Sequence, residues 1–187
     1  MSRRLLALAS IALTGAVSIA QHSITISQPT NFIEDIVVPA YDSSNGPLRS
    51  VTLCLRYRHV RTVRCESLDA APSIVSLSFD IGRVDFFQGS NQLTSLTFGA
   101  ESSMCNLTPF DNTLDYQGTS ACMTSSVNKG DMLVHIDDPA VLAAFIDTGT
   151  VTIQADGLDI FSTSGPGNVC TESTTQFNLF AEVIYNN

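Results

Sequence analysis

Residues 49–65 carry the longest alternating pattern of the chain: Val51, Leu53, Leu55 and Tyr57 at odd positions, Thr52, Cys54, Arg56 and Arg58 at even ones. A two-residue period sends successive side chains to opposite faces of an extended strand, one face to a core and one to solvent. The same alternation, rich in Val, Ile, Thr and Phe, returns at residues 23–27, 33–39, 73–81, 84–88, 95–98, 113–117, 132–136, 150–155, 158–163 and 175–185. Residues 42–47, Asp-Ser-Ser-Asn-Gly-Pro, have the composition of a turn. One short helix is predicted near residues 138–146: Asp137 or Asp138 can cap it, Pro139 suits its first turn, and Gly149 stops it. Parallel sheets need long helical crossovers, and the sequence offers none. The expected fold is therefore all-β: an antiparallel β-sandwich of jelly-roll or Ig-like kind with that one helix.

The first 20 residues have a different texture. Arg3 and Arg4 precede an apolar run over residues 5–17, broken only by Ser10, Thr14 and Gly15, and Ser18-Ile19-Ala20 supplies small residues after it. This is the three-part layout of a cleavable export signal over residues 1–20. The run is shorter than the roughly 20 residues a membrane span needs. The paired arginines also fit a twin-arginine signal, although the general export route is the expectation. Residues 21–187 then form a single domain, secreted, with no membrane span after cleavage and no hydrophobic tail at the C-terminus. The mature chain would keep seven of the nine basic residues and all 18 acids, a net charge near −11. Such a surface repels nucleic acid and anionic lipid.

Five cysteines, Cys54, Cys65, Cys105, Cys122 and Cys170, all lie beyond the leader. An oxidising compartment favours disulfides, and the odd count leaves at least one thiol unpaired. There is no C-x-x-C spacing to suggest zinc or redox chemistry. Cys105 and Cys122 flank one loop-rich stretch and are the expected pair, closing a loop worth roughly 3 kcal/mol through the unfolded chain.

Several segments in order resemble a known family. They are Tyr41-Asp42-Ser43-Ser44-Asn45-Gly46-Pro47 with the strand after it, Leu114-Asp115-Tyr116-Gln117-Gly118-Thr119-Ser120, Phe145-Ile146-Asp147-Thr148-Gly149-Thr150-Val151, and Ser164-Gly165-Pro166-Gly167-Asn168 with the closing strand to Tyr185. Together, over roughly residues 33–185, they are similar to the choice-of-anchor E domain of bacterial exported proteins. The resemblance implies an extracellular or cell-envelope module and carries no catalytic residues. The family's name refers to C-terminal sorting anchors, whereas this chain ends after its last strand. Release, or retention by partners, is the expectation here.

No residue constellation spells a reaction. His22, His59 and His135 are scattered, and no G-x-S-x-G elbow is present. The chain is expected not to be an enzyme. Loop acids Asp111 and Asp115, with Asp137 and Asp138, are candidate Ca²⁺ ligands, because carboxylates from separate turns can converge on that ion. They are equally the residues that make turns and helix caps. No other cofactor or metal is expected. Arg56, Arg58, Arg61 and Arg64 place four cations within nine residues. Arg56, Arg58 and Arg64 share the outward parity. They would either guard a sheet edge against pairing or form a docking stripe for an acidic partner, including a second copy of this acidic chain. The sequence thus predicts a secreted, non-enzymatic structural or interaction module. A calcium- or carbohydrate-binding module and a secreted hydrolase are the alternatives.

Overall fold

A computed structural model describes residues 17–28, as backbone only, with 31–146 and 149–187; residues 1–16, most of the expected export signal, lie outside the described residues. The elements are β1 (Val17–Gln28), β2 (Phe32–Pro39), a 3-10 turn (Ser43–Asn45), β3 (Ser50–Ser67), β4 (Ser73–Phe79), β5 (Gly82–Gln88), β6 (Asn91–Phe98), β7 (Glu101–Leu107), β8 (Ala121–Ile136), α1 (Pro139–Leu142) with a 3-10 turn (Ala143–Phe145), β9 (Thr150–Leu158), β10 (Phe161–Ser164) and β11 (Val169–Asn186). Within the expected signal, Val17 pairs with Asn186 and Ala20 with Val183, so β1 begins there.

Over the described residues the molecule is an antiparallel β-sandwich with one short helix. One layer is a long sheet ordered β1-β11-β3-β8. The facing layer consists of two short sheets, β2-β9-β5-β6 and β10-β4-β7. Three strands step between those short sheets: β4 to β5 across Asp80 and Ile81, β6 to β7 across Gly99 and Ala100, and β9 to β10 across Asp159 and Ile160. The neighbour order β9-β5-β6 matches β10-β4-β7, so the facing layer is a single set of strands interrupted once at a common level.

The interruption divides the apolar interior. The larger core gathers Leu53 and Leu55 of β3, Phe86 of β5, Ile153 of β9, and Phe177 and Tyr185 of β11. The smaller holds Val63, Cys65, Val75, Leu77, Phe79, Cys105 and Leu107. Phe177 stacks on Phe32 at 5.6 Å between ring centroids. The Tyr185 hydroxyl donates to the carbonyl of Pro39 (2.8 Å), and burial pushes its phenol up to about 12. β3 spans both cores, and its odd positions face inward along its whole length, as the alternation predicts.

Several boundaries differ from the sequence expectation. The residues at 113–117 form a loop, for a reason given below. β8 begins at Ala121, far ahead of 132, because its inward positions include Thr124, Ser126, Asn128 and Gly130, which carry no apolar period. β7 has only Cys105 and Leu107 buried and lacks a legible pattern. The stretch at 158–163 is split at Asp159 and Ile160. The helix forms as expected, with Asp138 accepting from the backbone N–H of Ala140 (2.8 Å). β3 lies between β11 and β8, so its arginines guard no edge.

Cys105 and Cys122 form a disulfide with Cα atoms 6.0 Å apart, fastening β7 of the short sheet to β8 of the long one. Cys54, Cys65 and Cys170 are thiols, and burial raises Cys54 and Cys65 above the ordinary thiol value. Replacing Cys105 and Cys122 by serine should lower the unfolding free energy by about 3 kcal/mol in a denaturant titration. An unchanged midpoint would contradict a stabilising crosslink.

Candidate functional site

The densest polar cluster lies at the level where the facing layer is interrupted. In the long sheet Arg61 is flanked in register by Thr175 on β11 and Ser126 on β8, with His59 two residues before it. His59 and Arg61 are each 1% exposed. Opposite them sit the three strand-to-strand steps. The Arg61 guanidinium donates to the carbonyl of Asp80 (3.0 Å) and to that of Gly99 (2.9 Å), one from each of two steps. Its Nη1 lies 3.8 Å from Oδ1 of Asp159, in the third step, and its Nη2 lies 3.9 Å from Oε1 of Glu101. Asp159 Oδ2 also binds His59 Nε2 (2.7 Å) and accepts from Thr175 Oγ1 (2.9 Å). Ser126 donates to Glu101 (2.6 Å). The guanidinium sits 4.9 Å over the Phe79 ring, and the His59 ring centroid is 4.1 Å from that of Phe98.

The local sequence makes room for this node. A Cβ on Gly82 would stand 2.2 Å from Asp159 Oδ1. Outside the strands, the Asp80 and Gly99 carbonyls need donors from elsewhere, and a buried guanidinium with five N–H groups supplies them. A His–Asp contact can also belong to a catalytic triad. Here the neighbouring cavity measures about 10 Å³, room for at most one water. The arrangement fits a structural clasp.

A second buried carboxylate shapes the other end of the long sheet. Glu66, fully buried, accepts at Oε2 from the backbone N–H groups of Asp115 (2.9 Å) and Tyr116 (2.6 Å), and at Oε1 from Ser120 Oγ (3.2 Å). This draws the 113–117 segment out of strand geometry, with Tyr116 at φ 56°. The Tyr116 hydroxyl meets Cys170 Sγ at 3.1 Å, and that bond above all pushes the phenol up to about 12.

The sequence-derived calcium candidates do not gather. Asp111 and Asp115 precede β8, accepting from the N–H groups of Thr113 and Gln117, while Asp137 and Asp138 follow it. Among the described residues no group of three or more His, Cys, Asp or Glu side chains could hold a metal ion. A surface groove of about 580 Å³ contains Asp85 and Asp156, which face each other across β5 and β9. Asp85 is occupied by Arg83 (2.8 Å), Gln92 (3.1 Å) and Ser95 (2.5 Å).

The arginine stripe lies on the outer face of the long sheet. Arg56 pairs with Asp131 (2.8 Å), their side chains 75% and 71% exposed. Arg64 pairs with Glu172 (2.6 Å) and lies 4.8 Å over the Tyr116 ring. Arg58 is exposed and stands directly opposite Lys129. Beside them β8 turns Met123, Val127 and Leu133 to solvent, at 64%, 54% and 74% exposure. A shallow groove of about 250 Å³ runs between Leu133, Arg56, Cys54 and Phe180.

Sequence reasoning counted Arg61 in the arginine cluster and Asp159 among the loop acids without giving either this role, and it passed over Glu66. Arg61 was detectable, since its odd position on β3 aims a cation at the core. The partners of Asp159 and Glu66 are distant in sequence and left no signal.

No protein-family model matches the chain, and no curated protein matches it. Among solved structures it aligns with a chain of "Structure of infectious bursal disease virus Gx strain" at 8% identity and a TM-score of 0.13. That alignment covers 99% of this chain and 46% of the other, so this chain spans less than half its length. A likeness that low supports no inference.

Replacing Arg61 by methionine should cost about 3–5 kcal/mol, because it leaves two carbonyls and a buried carboxylate without their cation. The same change at Arg56, in an exposed pair, should cost no more than about 1 kcal/mol. Equal losses in denaturant unfolding would contradict the assignment of the node.

Proposed function

We propose that this chain is an exported, non-enzymatic β-sandwich module, akin to the choice-of-anchor E domain, that works outside the membrane by binding a macromolecule through the outer face of its long sheet. The observation that carries this reading is the apolar group on the outer face of β8. Its inward positions run from Ser126, Asn128 and Gly130 to the apolar Met132, Val134 and Ile136, yet Met123, Val127 and Leu133 point to solvent. Folding alone does not reward apolar side chains on the wet side of a strand, and grouped exposed ones mark interaction surfaces. The adjacent arginines add electrostatic selectivity on an otherwise acidic molecule. The layout of residues 1–20 and the disulfide support an exported location.

The reading is tested with purified full chain and a Met123→Ser/Val127→Ser/Leu133→Ser variant, whose exposed sites should leave stability nearly unchanged. The native chain should either bind the envelope fraction of its producing cell or self-associate, more strongly at low salt, and the variant should do so less. Absence of both behaviours at every salt concentration, or undiminished association of the variant, would refute it.

A further inference from the structure

Among the described residues the long sheet ends in a strand with one unpaired edge. β8 is last in the order β1-β11-β3-β8, and among the described residues no strand pairs with its other edge. It runs 16 residues without proline and has a single lysine, Lys129, near its middle. Such an edge offers a row of backbone donors and acceptors to another strand. We propose that the occupant is a second copy of this chain, whose β8 pairs antiparallel with the first about a two-fold axis at Gly130, joining the two long sheets into one. This inference rests on the interaction-module reading above and names its partner.

The outward residues of β8 are complementary about that point. With the axis at Gly130, Lys129 of each copy faces Asp131 of the other, Val127 faces Leu133, and Ser125 faces His135. Cross-strand pairs of opposite charge and paired apolar side chains are the contacts that stabilise an antiparallel ladder. Neighbouring registers lack them. Moving the axis to Lys129 sets lysine against lysine, and moving it to Asp131 sets aspartate against aspartate. A one-residue slip would turn the outer face of one copy against the inner face of the other. Self-complementarity of one patch is what a closed two-fold dimer requires.

The charge around the axis is unbalanced in one copy alone. Lys129 stands opposite Arg58, whose other neighbour in the sheet is Asn178, and among the described residues neither cation forms an ion pair. Like charges directly opposite each other repel. A second copy brings its own Asp131 beside Lys129. Across the joint the row would read Arg56, Asp131, then the second copy's lysine and arginine, with each carboxylate between cations.

The test is sedimentation equilibrium of the full chain with Lys129→Glu, Asp131→Lys and the double swap. Both positions are at the surface, and a thermal melt confirms folding. The native chain should dimerise, each single variant should weaken dimerisation at least about tenfold by setting like charges across the axis, and the double swap should recover most of the loss. A native chain that stays monomeric up to millimolar concentration, single variants as tight as native, or no recovery in the double swap would overturn the proposal. Envelope binding by the same proteins separates the two readings. Binding without dimerisation removes only this inference, and loss of both removes the interaction module as well.

Discussion

Where three strands of the facing layer step from one short sheet to the next, their ladders stop together, and a broken ladder buried in a sandwich leaves backbone carbonyls needing donors. Arg61 reaches across from the long sheet and satisfies two of the three steps through the carbonyls of Asp80 and Gly99. The third step contributes Asp159, which faces Arg61 and holds His59 and Thr175. A buried ion pair often adds little net stability over an apolar substitute, but removing one partner is costly. Its value here is positional. One side chain fixes the level at which all three strands may change sheet, and so fixes how the two cores meet. Gly82 completes the arrangement, since any larger residue would displace Asp159.

This explains how much of the fold was legible. The alternation of β3 could be read where it lines the two cores, because its inward side chains there are apolar, while His59 and Arg61 interrupt it between them. Elements were missed where the interior is not apolar. The first half of β8 faces the node with Ser126 and Asn128, so the hydrophobic period is absent where the strand went unseen; β7 buries only two of its seven residues. The opposite error arose at residues 113–117, where an alternating sequence is held as a loop by Glu66, a contact about 50 residues away in the chain. The cysteine pair was legible from the loop-rich stretch it flanks, while of the acids proposed for calcium Asp111 and Asp115 make turns before β8 and Asp138 caps the helix after it.

The outer face of the long sheet is the counterpart of the node. The inward cation, Arg61, is absorbed by structure, whereas Arg58 and Lys129 on the outer side face each other, beside exposed apolar side chains. The same 18-residue strand therefore carries the clasp on one side and the stripe on the other. The regular pairing of β3 and β8 gives that stripe a set spacing, which a register-dependent contact with another strand requires. We regard the polar interior as the reason the exterior can be so precisely patterned, since both are set by the parity of β3.

The most direct test of the account is whether the two cores open as one unit through the Arg61–Asp159 node. Native-state hydrogen exchange in low denaturant reads this residue by residue. In the native chain the amides of Leu53 and Leu55 in the larger core and of Val63 and Cys65 in the smaller should share one opening free energy and one denaturant slope. In Asp159→Ala the smaller core should open separately at lower free energy. Two distinct opening energies already present in the native chain, or no change in the variant, would contradict the claim that the node unites them.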